Sequence, residues 1–428
     1  MDPVAVCDIH GTLYRFNMQI HPLITDTDSL ARFCARLAKS DFIAVDTEFM
    51  RENTYWPELC LVQIGNLEEA AAIDPKAPGI DLTPMLDLLT ENHDVLKVVH
   101  AGPQDIEIIF NLTGKTPVPL FDTQIAAMAL GQAEQIGYAN LVESWLGLTV
   151  DKGARFTDWS RRPLEARQID YAIGDVTHLA KIFPKMLDKL RRTGRGAWLD
   201  IEMEKLGDPR QYKPDPDTLW QRIRPPGRSA QILGRMRALA WWRETEAQDK
   251  NLPRGRIMKD ETLADIAAHP PSHQSELGKV RGLSAAWREN DIGARMMDAL
   301  IAARPLSASE MPPKSPRGPA LGKEGALVAD LLKLLLKIRS REIDVAARLL
   351  ARSDDLEALA AGVRKNLPIL EGWRFEQFGR DALALVEGRM AFAIADGRIK
   401  MTRTELIVEP DGDGDAEASV VEALTEQP

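Results

Sequence analysis

The stretch FIAVDTEFMRENTYWPELCLVQIG, Phe42 to Gly65, decides the fold. Phe42–Asp46 is a short apolar run of the kind a buried strand needs, and Leu59–Gly65 is a second. Between them lies Val45-Asp46-Thr47-Glu48-Phe49. A strand turns successive side chains to opposite faces, so Asp46 and Glu48 point the same way. Two neighbouring carboxylates repel, and a cation relieves the repulsion. Taken alone, the motif fits equally well an acid facing solvent beside one that caps a neighbour.

Working outward, Ala70–Asp74 reads as a third strand, Leu82–Leu89 as helical and Val95–His100 as another buried strand. Gly102-Pro103 opens a helix, with proline at its first position and Asp105 in its first turn. Phe121–Gly131 and Tyr138–Leu146 read as helical, and a long helical stretch runs from Pro163 to about Arg192. Strands first, then alternating strands and helices, predict an α/β domain with a mixed sheet flanked by helices.

Two further motifs carry acids. His100-Ala-Gly-Pro-Gln-Asp105 runs from strand to helix, where an aspartate is also a common dipole-favoured cap. Tyr171-Ala-Ile-Gly-Asp175 puts a phenol and a carboxylate on one helical face, although a buried tyrosine beside a surface acid gives the same spacing. The three motifs gain weight from their order: Asp-x-Glu, an Asp about sixty residues on, then Tyr-x-x-x-Asp. That order resembles the DEDDy group of 3′→5′ exonucleases. Within the group, the chain is similar to ribonuclease D over Phe42–Gly65, Lys97–Ile109 (KVVHAGPQDIEII), Phe121–Ala127 (FDTQIAA) and Asp151–Asp175 (DKGARFTDWSRRPLEARQIDYAIGD).

The resemblance implies an RNase H-like mixed sheet and two divalent cations, Mg²⁺ or Mn²⁺, suited to hard oxygen ligands. It implies that Asp46, Glu48 and Asp175 ligate one ion, that Asp46 also bridges to the second, and that Asp105 holds the second through water. Tyr171 would orient the attacking water; its pKa, near 10 in solution, leaves most of the acidification to the metal. His100, Gln104, Phe49, Tyr55 and Trp56 are candidate nucleotide contacts, and Arg51, Lys152, Arg155 and Arg161 candidate phosphate contacts. Gly174 and His178 depart from common family residues, and neither replaces a ligand. The implied activity is hydrolysis of RNA from a free 3′ end to 5′-mononucleotides, with tRNA precursors as substrates. A DNA 3′→5′ exonuclease and a non-catalytic RNA-binding protein are the alternatives.

Beyond residue 205 the chain changes character. Prolines 209, 214, 216, 225 and 226 mark a linker, and a helical set follows over 230–303. A second Pro/Ser/Gly-rich linker precedes another helical set: Gly325–Arg339, Ile343–Leu350, Ser353–Gly362 and Glu376–Ala384. Trp241–Ser284 and Leu367–Ile394 each resemble the all-α helicase-and-RNase-D C-terminal (HRDC) module. The expected domains are an extension over 1–17, the exonuclease over 18–208, a linker over 209–228, HRDC modules over 229–305 and 323–400 separated by a linker over 306–322, and an acidic tail over 401–428.

Composition sets the outer limits. A length of 428 residues exceeds a single core. No run approaches the roughly 20 apolar residues of a membrane span, and the opening Met1-Asp-Pro lacks a basic signal region, so the expectation is a cytoplasmic protein with no membrane partner. Oligomeric state is not legible. Cys7, Cys34 and Cys60 fit no metal spacing and read as reduced thiols. The net charge of −10 is uneven: the last twenty residues carry seven acids and no base, and the remainder is close to −3. Asp8-Ile-His10-Gly-Thr weakly matches a phosphatase motif, but its second acid is His10. Asp411, Asp413, Asp415 and Glu422 have calcium-loop spacing, with Ala416 where that loop requires glycine.

Overall fold

The computed structural model describes residues 5–7, 13–15, 18–151, 153, 157–312 and 321–403. Two compact units result: Met1–Pro316 with Ile343–Leu349, and Arg317–Glu342 with Leu350–Pro428. His10, Lys152, Arg155 and the tail from 404 lie outside the described residues.

In the first unit, β1 (Ala5–Cys7) and β2 (Leu13–Arg15) pair antiparallel. Next come β3 (Gln19–Ile20), α1 (Thr27–Leu37), β4 (Phe42–Met50), β5 (Glu58–Gly65), β6 (Glu69–Ile73), α2 (Thr83–Thr90), β7 (Leu96–Val99), α3 (Pro103–Thr113), β8 (Leu120–Asp122), α4 (Thr123–Ala129), α5 (Tyr138–Leu146), α6 (Ala166–Thr193) and α7 (Asp200–Leu206). Six strands form one mixed sheet in the order β3-β6-β5-β4-β7-β8, with β4 antiparallel to β5 and parallel to β7.

Alternation along the strands builds the layers. Ile43 and Val45 of β4, Val62 and Ile64 of β5, and Ala71 and Ile73 of β6 bury against Leu30 and Phe33 of α1, Leu88 of α2 and Ile106 of α3. On the other face, Leu61 and Ala72 pack with Ala172 and Ile173 of α6. Asp46 and Glu48 share the α6 side, as period-two alternation requires. A register shift between Glu48 and Phe49 interrupts the pairing of β4 with β5 just past the acids, and the pairing resumes at Phe49 with Leu59. The long helix begins at Ala166 rather than Pro163, because Glu165 and Gln168 form a reciprocal capping box there.

The sequence predicts one helix over Phe121–Gly131, whereas Leu120–Asp122 is an edge strand. Asp122 ends it and caps α4, accepting from Gln124 N at 2.7 Å. The expected linker packs: Trp220 and Ile223 join the core of the following helices. That core is built on α8 (Ala230–Asp249), α9 (Arg254–Ile257), α10 (Asp260–Ala268) and α11 (Asp291–Ala302). Within the helical set expected over 230–303, the α-helices are interrupted between residues 269 and 290. Gln274–Lys279 and Ala285–Arg288 are 3₁₀ turns, and α11 starts only where Asn290 caps Gly293 N at 2.9 Å.

The second unit contains α12 (Lys323–Glu342), α14 (Ser353–Ala360), the short turn α15 (Gly372–Arg374), a π turn over Phe375–Gly379 and α16 (Arg380–Val386); the short turn α13 (Ala347–Leu350) falls in the first unit up to Leu349. Leu332, Leu335, Leu356, Leu359, Ile369 and Phe378 are buried. Two features differ from expectation. Residues 343–349 are not part of a helix within this set. They belong to the first unit, where Ala346 N donates to Met128 O at 2.8 Å and Arg195 donates to the carbonyls of Ala129, Ile343 and Asp344. The set is also not purely helical: β9 (Met390–Ala395) and β10 (Arg398–Arg403) form a hairpin that crosses the boundary expected at residue 400.

Candidate active site

Three elements deliver carboxylates to one cavity of about 860 Å³: the end of β4, the first turn of α3 and the middle of α6. Asp46, Glu48 and Asp175 each offer an oxygen, and these oxygens lie within 4.8 Å of one another. Asp105 lines the same cavity, fixed by a hydrogen bond from the Thr47 hydroxyl, and adds to the negative potential at Asp46. Asp175 is buried, while Asp46, Glu48 and Asp105 are partly open to the cavity.

The electrostatics are lopsided. Burial raises the Asp46 carboxyl well above the usual range, and the charges of Asp175, Asp105 and Glu48 raise it further. Burial also pushes Asp105 up to about 6, against the opposing Thr47 hydrogen bond. Among the described residues lining the cavity, Arg51 is the one guanidinium, and Glu107 holds it at 2.6 and 2.7 Å. Burial lowers the His100 pKa and so favours the neutral imidazole. Four acids gathered this closely fit hard divalent cations, whose charge reverses the repulsion among them.

The remaining predicted residues divide. Tyr171 lies one helical turn before Asp175, half-buried, its ring 6.3 Å from that of Trp159, and both line the cavity. Phe49, His100 and Gln104 line it too. His100 is already engaged by the protein: Nε2 donates to Ile136 O at 3.1 Å, and Nδ1 sits 3.0 Å from the Thr123 hydroxyl. Arg161 is exposed and donates to Asp158 at 3.0 Å. Tyr55 lies away from the cavity, only 7% exposed within the core formed around α8. Its hydroxyl donates to Glu244, so its role there is packing. Trp56 is 36% exposed and also lies outside this cavity.

Sequence patterns missed Tyr138. Its buried hydroxyl donates to the carbonyls of Gly174 at 3.0 Å and Asp175 at 2.6 Å, bracing α6 where its acid projects. Burial raises this phenol's pKa far above the usual value, and Asp175, Asp46 and Tyr171 reinforce the rise. His100 packs edge-on against the Tyr138 ring at 5.7 Å. The one sequence cue is a tyrosine at a helix start after Gly137, which carries no chemistry by itself.

Residues 22–191 match the family model described as 3′-5′ exonuclease, and residues 232–300 match the HRDC domain. Ribonuclease D of Sphingobium indicum is 72% identical over 388 residues, 91% of this chain and 100% of that protein. Ribonuclease D of Zymomonas mobilis is 63% identical with the same coverage. The crystal structure of Escherichia coli RNase D, an exoribonuclease involved in structured RNA processing, is similar at a TM-score of 0.70 and 28% identity, covering 88% of this chain and 99% of that one. With one relative matched along its whole length and an exonuclease model over the region that holds the four acids, the chain belongs to the ribonuclease D family of 3′→5′ exonucleases.

Proposed function

We propose that this chain removes 5′-mononucleotides from the free 3′ end of RNA, tRNA precursors among its substrates, using two divalent cations held by Asp46, Glu48, Asp105 and Asp175. Metal dependence is a property of its family, and its relatives act on RNA. The number and kind of ions, the residue roles and the tRNA substrates are our reading. The observation that carries it is the convergence of three carboxylate oxygens within 4.8 Å in a cavity that Asp105 also lines.

When bound, such cations acidify water and neutralise charge developing on the phosphoryl oxygens. The side chains do the positioning. Tyr171, on the same helical face as Asp175, orients the attacking water through its hydroxyl. Tyr138 steadies the backbone of α6 beneath Asp175. Thr47 fixes the rotamer of Asp105. Phe49 and Gln104 flank the terminal nucleotide.

The domain assignment follows: exonuclease over 18–208, an HRDC module over 229–305, and a second over 323–403 that excludes the 343–349 segment. A shared packing device supports the second module. A Cβ at Gly293 would lie 1.9 Å from the Trp287 carbonyl oxygen, and one at Gly379 would lie 1.9 Å from that of Ile369. Each module thus requires glycine where a helix passes against the carbonyl of a preceding 3₁₀ turn, Gly293 in the first turn of α11 and Gly379 at the end of the π turn before α16. No helix among the described residues is long and apolar enough to cross a membrane, and we place the enzyme in the cytoplasm with its RNA.

The test offers the protein matched RNA and DNA oligonucleotides with Mg²⁺, then repeats the assay with Asp46→Asn. Release of 5′-mononucleotides from RNA, cut at least ~10²-fold in the variant, is expected, the scale of losing one preorganised electrostatic group. Degradation of DNA alone, or an undiminished variant, overturns the proposal.

A further inference from the structure

We infer that a second cavity beside the carboxylate site binds the single-stranded RNA immediately upstream of the scissile nucleotide; the inference rests on the exonuclease reading above. Arg51 and Gln104 line both cavities, so the two share a wall. The second measures about 620 Å³, within the range of ligand-sized pockets. It is enclosed by the segment after β4, the first turns of α3, residues 210–222 and Arg254.

The charge of the two cavities is opposite. The first holds the acids. The second is lined by five basic side chains, Arg51, Arg210, Lys213, Arg222 and Arg254, against two acidic ones, Glu107 and Asp215. Arg51, Arg210 and Arg254 are held by Glu107, Asp208 and Glu244. Lys213 and Arg222 are exposed and form no salt bridge among the described residues, so both are available to phosphate oxygens.

A stacking surface lies beside them. Trp56 is 36% exposed, its ring set edge-on to that of buried Tyr55 at 4.6 Å. Its backbone N–H donates to Asn251 Oδ1 at 3.0 Å, so the indole sits on a braced segment. A pre-positioned aromatic face beside unpaired cations is the combination that holds single strands without reading sequence. A 3′ end seated among the acids would lead its preceding phosphates over the shared wall, from the region that attracts metal ions to the one that attracts phosphates.

The test is steady-state hydrolysis by the full chain in Mg²⁺, with a dinucleotide and an oligoribonucleotide of about eight residues. The variants are Trp56→Ala, Trp56→Phe and the double variant Lys213→Ala/Arg222→Ala. In the wild type, KM should fall with length. Trp56→Ala should shrink that length advantage about 5- to 100-fold, the scale of one lost base stack, while Trp56→Phe keeps most of it. The double variant should lower the salt slope of log(kcat/KM) for the longer RNA by about 1.4, two single-strand phosphate contacts at ~0.7 each. A length advantage and salt slope equal to wild type in Trp56→Ala and the double variant overturn the inference. Wild-type protein that leaves both RNAs intact overturns the exonuclease reading itself, a result distinct from any variant outcome.

Discussion

Removing the charge of Glu244 should weaken the contact between the exonuclease fold and the helices that follow it. The Glu244 side chain has no exposed surface. Arg254 donates to it, with Nη2 at 2.6 Å from Oε1, and the Tyr55 hydroxyl donates to the same oxygen. Gln248 Nε2 and Arg254 Nη2 close the ring by donating to the Tyr55 hydroxyl at 3.0 and 3.1 Å, and the guanidinium lies 4.9 Å from the Tyr55 ring centre. Burial pushes the Glu244 pKa up, but the hydrogen bonds from Arg254 and Tyr55 outweigh it and hold the group ionised. Removing one partner of a buried pair costs about 3–5 kcal/mol. Arg254 is 39% exposed and water screens it, so Glu244→Gln should cost about 2–3 kcal/mol. Tyr55→Phe takes a donor from the carboxylate and an acceptor from two other groups, a cost of about 1.5–3 kcal/mol. The sites share one network, so the double variant should show a coupling of about 1 kcal/mol or more. Urea unfolding of the full chain, followed by tryptophan fluorescence, measures all three. A Glu244→Gln cost below about 0.5 kcal/mol, or additive single variants, would refute this account of Tyr55 as a packing residue.

Three further outcomes are expected. Without divalent ions the site carboxyls bind protons more tightly folded than unfolded, because Asp46 is raised and Asp105 reaches about 6. Unfolding then releases protons, so thermal stability in EDTA should fall as pH rises from about 4 through about 6, and Mg²⁺ at pH 7 should restore it; a flat profile contradicts the clustering. Tyr138→Phe keeps the ring but loses both bonds to the α6 carbonyls, and kcat should drop about 2- to 10-fold, one modest hydrogen bond's worth, as initial rates will tell. Arg162 binds Asp74 at 2.6 and 2.7 Å and the Cys60 carbonyl at 2.6 Å, so Arg162→Ala should cost about 3 kcal/mol and lower the melting temperature in calorimetry.

Short-range periodicity made much of the site legible. Asp46 and Glu48 share a face because strands alternate, and Tyr171 and Asp175 because helices turn every 3.6 residues. Asp105 needed more: its rotamer depends on Thr47, 58 residues away, a partner only the folded sheet supplies. Tyr138 was invisible because its bonds go to backbone carbonyls, which carry no sequence signature. Tyr55 misled because an aromatic beside a catalytic motif looks the same before α8 covers it. The β9–β10 hairpin had a local sign, Asp396-Gly397, both at positive φ between the apolar run Met390–Ala395 and the alternating stretch Arg398–Arg403, but the preceding helical pattern masked it. Leu120–Asp122 was too short for alternation to register, and only β7 pairing makes it a strand.

The return of residues 343–349 to the first unit bears on how this protein can be shortened. The polypeptide departs along α12 and comes back to lay its backbone on Met128 and Ala129, clasped by Arg195. A version ending near residue 312 would take that clasp away, wetting the Met128 carbonyl at the end of α4 and the Arg195 guanidinium just beyond α6. A nuclease trimmed there is a wounded molecule rather than a minimal one, and its losses should not be charged to the missing helices alone.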